Sequence, residues 1–159
     1  MNDPEKYANY CKKRKEIALN FHKNLENDEI AKKEHYQKVF GRKTSKAEND
    51  FFIFLEDHNI LCKRQEMISG FFVDGYIPDK KLVIEFYGDN YHCNPKKFTD
   101  PKKYCSWIDR TVEEQWLRDR KRLAVLYKNG CKVLIIWQTD WNRNRDEQLR
   151  RIKNAMLEN

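Results

Sequence analysis

Two short apolar runs separated by Pro78-Asp79-Lys80 constrain this chain more than any other feature. Phe71-Phe72-Val73-Asp74-Gly75-Tyr76-Ile77 and Leu82-Val83-Ile84-Glu85-Phe86-Tyr87 are rich in β-branched and aromatic residues. The break between them predicts a hairpin. Side chains alternate along a strand. Phe72, Asp74 and Tyr76 therefore share one face, and Val83, Glu85 and Tyr87 share one face of the partner. Asp74 and Glu85 each sit among apolar neighbours, where a carboxylate without a partner is costly. Two acids on paired strands point to a divalent cation between them. A turn-capping Asp and a Glu paired with lysine are the plainer alternatives. His92 follows just beyond, after Gly88-Asp89. Two acids for Mg²⁺ beside a titratable base are what metal-assisted phosphodiester hydrolysis needs.

The elements around the hairpin follow from caps and periodicity. Ser45-Lys46-Ala47-Glu48 has capping-box spacing, and Phe51, Phe52 and Leu55 continue one helical face that begins at Glu48. A carboxylate opening an apolar stripe is either a capping residue or a functional one. Asp57-His58-Asn59 ends that helix, and Leu61 to Ile68 reads as a first strand. After His92 a polar, lysine-rich stretch to about Asp109 reads as an irregular exposed loop. Thr111 to Lys128 predicts a long helix closed by Asn129-Gly130. Its apolar stripe is Val112, Trp116, Leu123, Leu126 and Tyr127, and Asp119 falls on it. A salt bridge to Arg118, Arg122 or the first strands is the plain explanation for Asp119; a catalytic task is the other. Cys131 to Gln138 is a near-continuous apolar strand, expected to be buried on both faces and to join the sheet in parallel. Thr139 to Arg145 reads as a polar turn, and Asp146 to Leu157 as a last helix. The order helix, three strands, helix, strand, helix defines an α/β fold with a mixed central sheet flanked by helices.

Charge separates the first third from the rest. Through Lys46 there are 12 Lys/Arg against 7 Asp/Glu, which accounts for most of the net charge of +7. Two helical runs there, Pro4 to Asn27 and Glu29 to Phe40, lack a clean apolar stripe and cannot build a core. Residues 1–43 therefore read as a basic helical arm, with Lys12, Lys13, Arg14, Lys15, Arg42 and Lys43 placed to contact phosphates. Residues 44–159 form the compact part. The cysteines, Cys11, Cys62, Cys93, Cys105 and Cys131, are odd in number with no C-x-x-C pair, so a disulfide framework is not expected. Cys93, His92 and Cys105 match no common zinc spacing. No signal peptide and no apolar run of membrane-spanning length is present, which places the protein in the cytoplasm.

From about Thr44 to Trp141, about two thirds of the chain, the sequence resembles the very-short-patch repair (Vsr-like) branch of the PD-(D/E)XK nuclease superfamily. Within that branch it is most similar to the phage homing endonucleases of the EDxHD type. The resemblance rests on an ordered set. Its members are Glu48, Asp74, Glu85-Phe86-Tyr87, His92, Arg118-Asp119-Arg120 and Gly130-Cys131-Lys132-Val133-Leu134-Ile135-Ile136-Trp137. It implies a restriction-endonuclease-like core that cleaves double-stranded DNA in the cytoplasm of a bacterial host. Glu48 matches the family's first acid, Asp74 its metal-binding aspartate, His92 its histidine and Asp119 its closing acid. Tyr87 stands where the E-x-K triplet has lysine and where the repair enzymes have a second histidine. The repair enzymes bind a structural zinc at positions held here by Asn94, Lys96 and Thr139, so zinc is not expected. Of the two wedge positions, Asn90 and Tyr91, only one is aromatic. Site-specific cleavage therefore fits better than nicking at T·G mismatches.

The mechanism implied is as follows. Asp74 binds Mg²⁺, with Mn²⁺ as substitute, helped by the main-chain carbonyl of Phe86 and by Glu85. His92 is the general base. Glu48 and Asp119 hold water on a second metal or orient His92. Arg64, Lys81, Lys96 and Lys97 join the arm in binding phosphates. One active site per chain cuts one strand per encounter, so a double-strand break takes a homodimer on the DNA or two visits. Two rivals are a DNA-binding module that no longer cleaves and a basic RNA- or ribosome-binding protein. The intact set of acids argues against the first. The second calls for exposed aromatics on a sheet face with no buried acids.

Overall fold

The computed structural model describes residues 44–157. The basic arm, with Lys12, Lys13, Arg14, Lys15, Arg42 and Lys43, lies outside the described residues. Ser45 caps the first helix, α1 (Lys46–Asp57), by accepting from the Glu48 amide at 3.1 Å. Glu48, Phe51, Phe52 and Leu55 are its buried face, as their spacing predicts. The chain leaves α1 through His58 and a left-handed Asn59 (φ 58°), a conformation Asn tolerates well. Three strands follow: β1 (Lys63–Ile68), β2 (Phe71–Ile77) and β3 (Leu82–Tyr87). Between β2 and β3, Pro78–Lys80 makes one 3-10 turn, closed by a left-handed Lys81. A capping box between Thr111 and Glu114 opens α2 (Val112–Lys128), and Gly130 at φ 75° releases the chain from its end.

The sheet runs in the order β1-β2-β3-β6, where β6 is Lys132–Trp137. β1, β2 and β3 are antiparallel neighbours, and β6 lies parallel to β3 with Glu85 opposite Ile135. β6 is thus an edge strand. Of its residues only Ile136 is fully buried, whereas every residue of β3 is. The expectation that Cys131–Gln138 is buried on both faces is corrected here; the strand covered on both faces is β3. Two further corrections concern connections. Residues 104–105 (β4) and 110–111 (β5) pair as a small antiparallel ribbon within the stretch read as irregular. The polar turn after β6 is a short helix, α3 (Gln138–Arg143), followed directly by α4 (Arg145–Leu157).

Alternation along β3 divides the molecule into layers. Leu82, Ile84 and Phe86 face a core shared with α1, α3 and α4 through Phe51, Phe52, Trp141 and Ile152. Its centre is aromatic: Phe51 lies 4.9 Å from Phe52, 5.1 Å from Phe86 and 5.0 Å from Trp141, ring centre to ring centre. Edge-on and tilted contacts of this kind suit the ring quadrupoles. On the other face Val83 packs with Val73, Leu126 of α2 and Cys131. A third cluster, Cys93, Phe98, Cys105 and Val112, anchors the loop after β3. Among the described residues no helix is long and apolar enough to cross a membrane.

Gly75 is required by close approach. A Cβ there would lie 2.4 Å from Phe52 Cε1 and 2.8 Å from Cζ. The Phe52 ring is only 1% exposed and carries the Arg64 guanidinium 4.5 Å from its centre. We therefore expect Gly75→Ala to destabilise the fold by about 1–3 kcal/mol through overpacking. Urea unfolding measures it, and an unchanged midpoint would contradict the packing described.

Candidate active site

The site begins where the hairpin ladder stops. β2 and β3 pair regularly from Ile77↔Leu82 to Gly75↔Ile84. Beyond that point the Phe86 amide donates to the Asp74 carboxylate, 2.9 Å from Oδ2, so the side chain has taken the place of a ladder partner. The other side of β2 is interrupted at the same level. Arg64↔Gly75 and Glu66↔Val73 bracket Gln65, which stands in the left-handed region at φ 49°. Such a conformation is costly for a residue with a Cβ and persists where its surroundings over-determine it. The Gln65 side chain reaches back to Glu48 Oε1 at 3.4 Å, and Arg64 lies 3.8 Å from the same oxygen. Glu48 therefore sits over the break in β1, and Asp74 lies in the break between β2 and β3.

Asp74 is 5% exposed. Its Oδ2 accepts from the Phe86 amide. A residue's N–H and C=O leave a strand from the same edge, so the Phe86 carbonyl is also directed toward β2. A buried carboxylate next to a main-chain carbonyl offers oxygen donors of the kind a hard divalent cation takes. Among the described residues no group of three or more His, Cys, Asp or Glu forms a ready metal cage.

Glu85 faces α2, fully buried. Arg122 grips it through both oxygens, Nη1 to Oε2 at 2.9 Å and Nη2 to Oε1 at 2.8 Å. Arg122 also donates to the Phe72 carbonyl. Burial opposes the guanidinium charge, but Glu85 outweighs it, with Tyr87 and Asp74 adding to the effect, so its pKa is raised. Tyr87 is buried beside this pair. Desolvation, then Asp119 and Glu85, push its phenol far above the ordinary range, so it is a neutral ring at working pH. His92 stacks on that ring, 3.6 Å away and 10° from parallel. Its Nδ1 meets Asp119 Oδ2 at 2.9 Å, and Gln115 donates to Asp119 Oδ1 at 2.9 Å. With Nδ1 committed as donor, Nε2 is the nitrogen left with a lone pair. An open cavity of about 270 Å³, walled by His92, Asp119, Tyr87, Trp116, Leu123 and Trp137, adjoins the dyad.

Arg122 and Glu85 are paired beside Tyr87, which stacks on the His92 that meets Asp119, and Glu48 lies across Gln65. Asp119 bonds His92 and Gln115, and Arg122 pairs with Glu85. Two residues that sequence reasoning did not single out complete the face of α2. Its buried residues are Val112, Gln115, Arg122 and Leu126, and with Asp119 they recur at three- and four-residue steps. That spacing was the available signal. Tyr127, placed on the apolar stripe, is 54% exposed.

Of the four described basic residues expected on DNA phosphates, Arg64, Lys96 and Lys97 make contacts within the protein. Arg64 lies on Phe52 and bonds Asn49 Oδ1 at 2.8 Å. Lys96 pairs with Asp140 and Lys97 with Asp89, each at 2.7 Å. Lys81 is exposed at the hairpin turn, at the end of β3 away from Tyr87 and His92. Asn94 and Thr139 both hydrogen-bond Asp89, a buried acid that sequence reasoning passed over. Cys93 and Cys105 pack in the small core under the loop.

No family model and no curated protein matches this chain. Among solved structures it is similar to the catalytic domain of the homing endonuclease I-Bth0305I. The TM-score is 0.50 at 21% identity, over 72% of this chain and 96% of that domain. The likeness is one of fold: a mixed sheet flanked by helices.

The Arg122–Glu85 pair generates a prediction. Removing one partner of a buried pair leaves the other charge uncompensated. Arg122→Met should cost about 3–5 kcal/mol in urea unfolding, and adding Glu85→Leu should recover most of it. Loss of stability no greater in Arg122→Met than in a surface Arg variant would contradict this.

Proposed function

We propose that this chain is a metal-dependent endonuclease that hydrolyses phosphodiester bonds in double-stranded DNA, of the PD-(D/E)XK superfamily and its EDxHD homing type. The observation that carries the reading is the His92–Asp119 contact, held on the same face of β3 as Asp74. The fold likeness supports it, since the similar domain is by name the catalytic domain of a homing endonuclease.

In this reading Asp74 and the Phe86 carbonyl hold Mg²⁺, or Mn²⁺ in its place. Mg²⁺ is commonly bound by one or two carboxylates plus substrate phosphate, so a complete protein cage is not needed. When bound, the ion supplies charge stabilisation on the phosphate oxygens. His92 Nε2 takes a proton from the attacking water as its oxygen bonds to phosphorus, and the bond to the sugar oxygen breaks as that oxygen takes a proton from solvent. Asp119 keeps His92 in the tautomer that leaves Nε2 free and stabilises the imidazolium that forms. Tyr87 is the platform that sets the ring's plane. Glu85 enters the metal site only when Arg122 releases it; its standing role is to fix Arg122 beside Asp74. Glu48, across Gln65, assists from the other side of β2. DNA affinity then rests on the arm and on exposed lysines such as Lys81 and Lys96, whereas Arg64 packs on Phe52.

The test is cleavage of supercoiled DNA, including DNA from intron-free phage genes, with Mg²⁺, with Mn²⁺ and with chelator. Wild type is expected to give nicked or linear product that disappears with chelator and in Asp74→Ala. Binding should weaken steeply with salt. Tight binding without product on any substrate in either metal would replace this reading with an inactive DNA-binding module.

A further inference from the structure

Asp89 is a buried acid with both oxygens hydrogen-bonded, and the mechanism above makes no use of it. Its side chain is 7% exposed. Oδ1 accepts from Asn94 Nδ2 at 2.7 Å and from the Thr139 amide at 3.4 Å. Oδ2 accepts from Lys97 Nζ at 2.7 Å and from the Thr139 hydroxyl. Burial alone would raise its pKa, but the bonds from Lys97, Thr139 and Asn94 more than offset this and lower it. The carboxylate therefore stays ionised and holds two separate parts of the chain. One is the loop after β3; the other is the junction of β6 and α3.

His92 lies inside the span that this carboxylate closes. The Asn94 amide donates to the Asp89 carbonyl at 2.8 Å, so main chain and side chain link residues 89 and 94 twice. Within the bracket the His92 amide bonds the Gly88 carbonyl at 3.1 Å. Cys93, directly after His92, stands at φ 48°, in the left-handed region. A residue with a Cβ is held there only by its surroundings. Trp116 of α2 donates to the Cys93 carbonyl at 2.7 Å and completes the clamp. Lys96 adds a second bridge to the junction through Asp140.

We propose that Asp89 is a positioning residue of the active site. Its carboxylate staples the turn that carries His92 to the start of α3, so that Nδ1 reaches Asp119 with Nε2 free. The chemical function of the staple rests on the nuclease reading; its geometric effect on His92 does not. Lys97 then belongs to the staple and not to the DNA surface. A side chain that sets a base in place contributes through geometry, where a displacement of about 1 Å can cost roughly 100-fold in rate.

The experiment uses the full chain and the variants Asp89→Asn and Thr139→Val. Two readouts are taken. The first is the ¹H–¹⁵N spectrum of the histidine rings at fixed pH, with His92 assigned by its loss in His92→Gln. The second is single-turnover cleavage beside DNA affinity. Both variants are expected to shift the His92 Nδ1 signal away from its Asp119-bonded position. Cleavage should fall by up to roughly 100-fold in Asp89→Asn, with DNA affinity unchanged. Circular dichroism shows which variants fold, and Thr139→Val, which removes one hydroxyl, decides alone if Asp89→Asn does not. Unmoved His92 signals in a folded variant would overturn the proposal and leave Asp89 a stability element. If wild type cleaves nothing, the nuclease reading fails while the ring signals still decide the positioning.

Discussion

The hydrogen bond from the Phe86 amide to Asp74 is the interaction on which the rest of the site depends. A central strand covered on both faces owes every amide a partner. At Phe86 that partner is a side chain. The exchange opens the ladder between β2 and β3 and fixes a carboxylate in the gap, with the Phe86 carbonyl directed to the same side. The left-handed Gln65 opens β1 at the same level and brings Glu48 to the break. The sheet is thus regular where it carries the fold and broken where it carries the acids.

β3 divides these tasks by alternation. Leu82, Ile84 and Phe86 enter the aromatic core with α1 and α3, where most of the apolar burial lies. Val83, Glu85 and Tyr87 turn to α2. That side is costly: a fully buried Glu85, a nearly buried Arg122 and a neutral Tyr87 occupy space that apolar residues could fill. Buried pairs add little net stability, but breaking one is expensive. The pairing therefore selects one register between α2 and the sheet. In that register Asp119 meets His92, and Arg122 holds Glu85 and the Phe72 carbonyl.

Much of this was legible in the residues. The Pro-Asp-Lys break and the alternation around it define the hairpin, and Glu48, Phe51, Phe52 and Leu55 define the buried face of α1. These are local signals. The face of α2 was harder to read because an apolar stripe was sought. Val112 and Leu126 of that stripe are buried, but Gln115 and Arg122 are buried with them and Tyr127 is half exposed. The edge position of β6 depends on strand order, which composition does not encode. The stretch after His92 looked irregular because its order comes from distant partners. Asp89 finds Thr139 fifty residues on, and the small core of Cys93, Phe98, Cys105 and Val112 closes under a lysine-rich surface.

In the proposed mechanism His92, aligned by Asp119, takes the proton from the water that attacks a phosphodiester while Asp74 serves the same phosphate. Chemical rescue tests it most directly. His92→Gly should lose cleavage, and added imidazole should restore part of it in Mg²⁺, whereas imidazole should restore nothing to Asp74→Ala. Full cleavage by His92→Gly without imidazole would contradict the account, because the base would then be some other group.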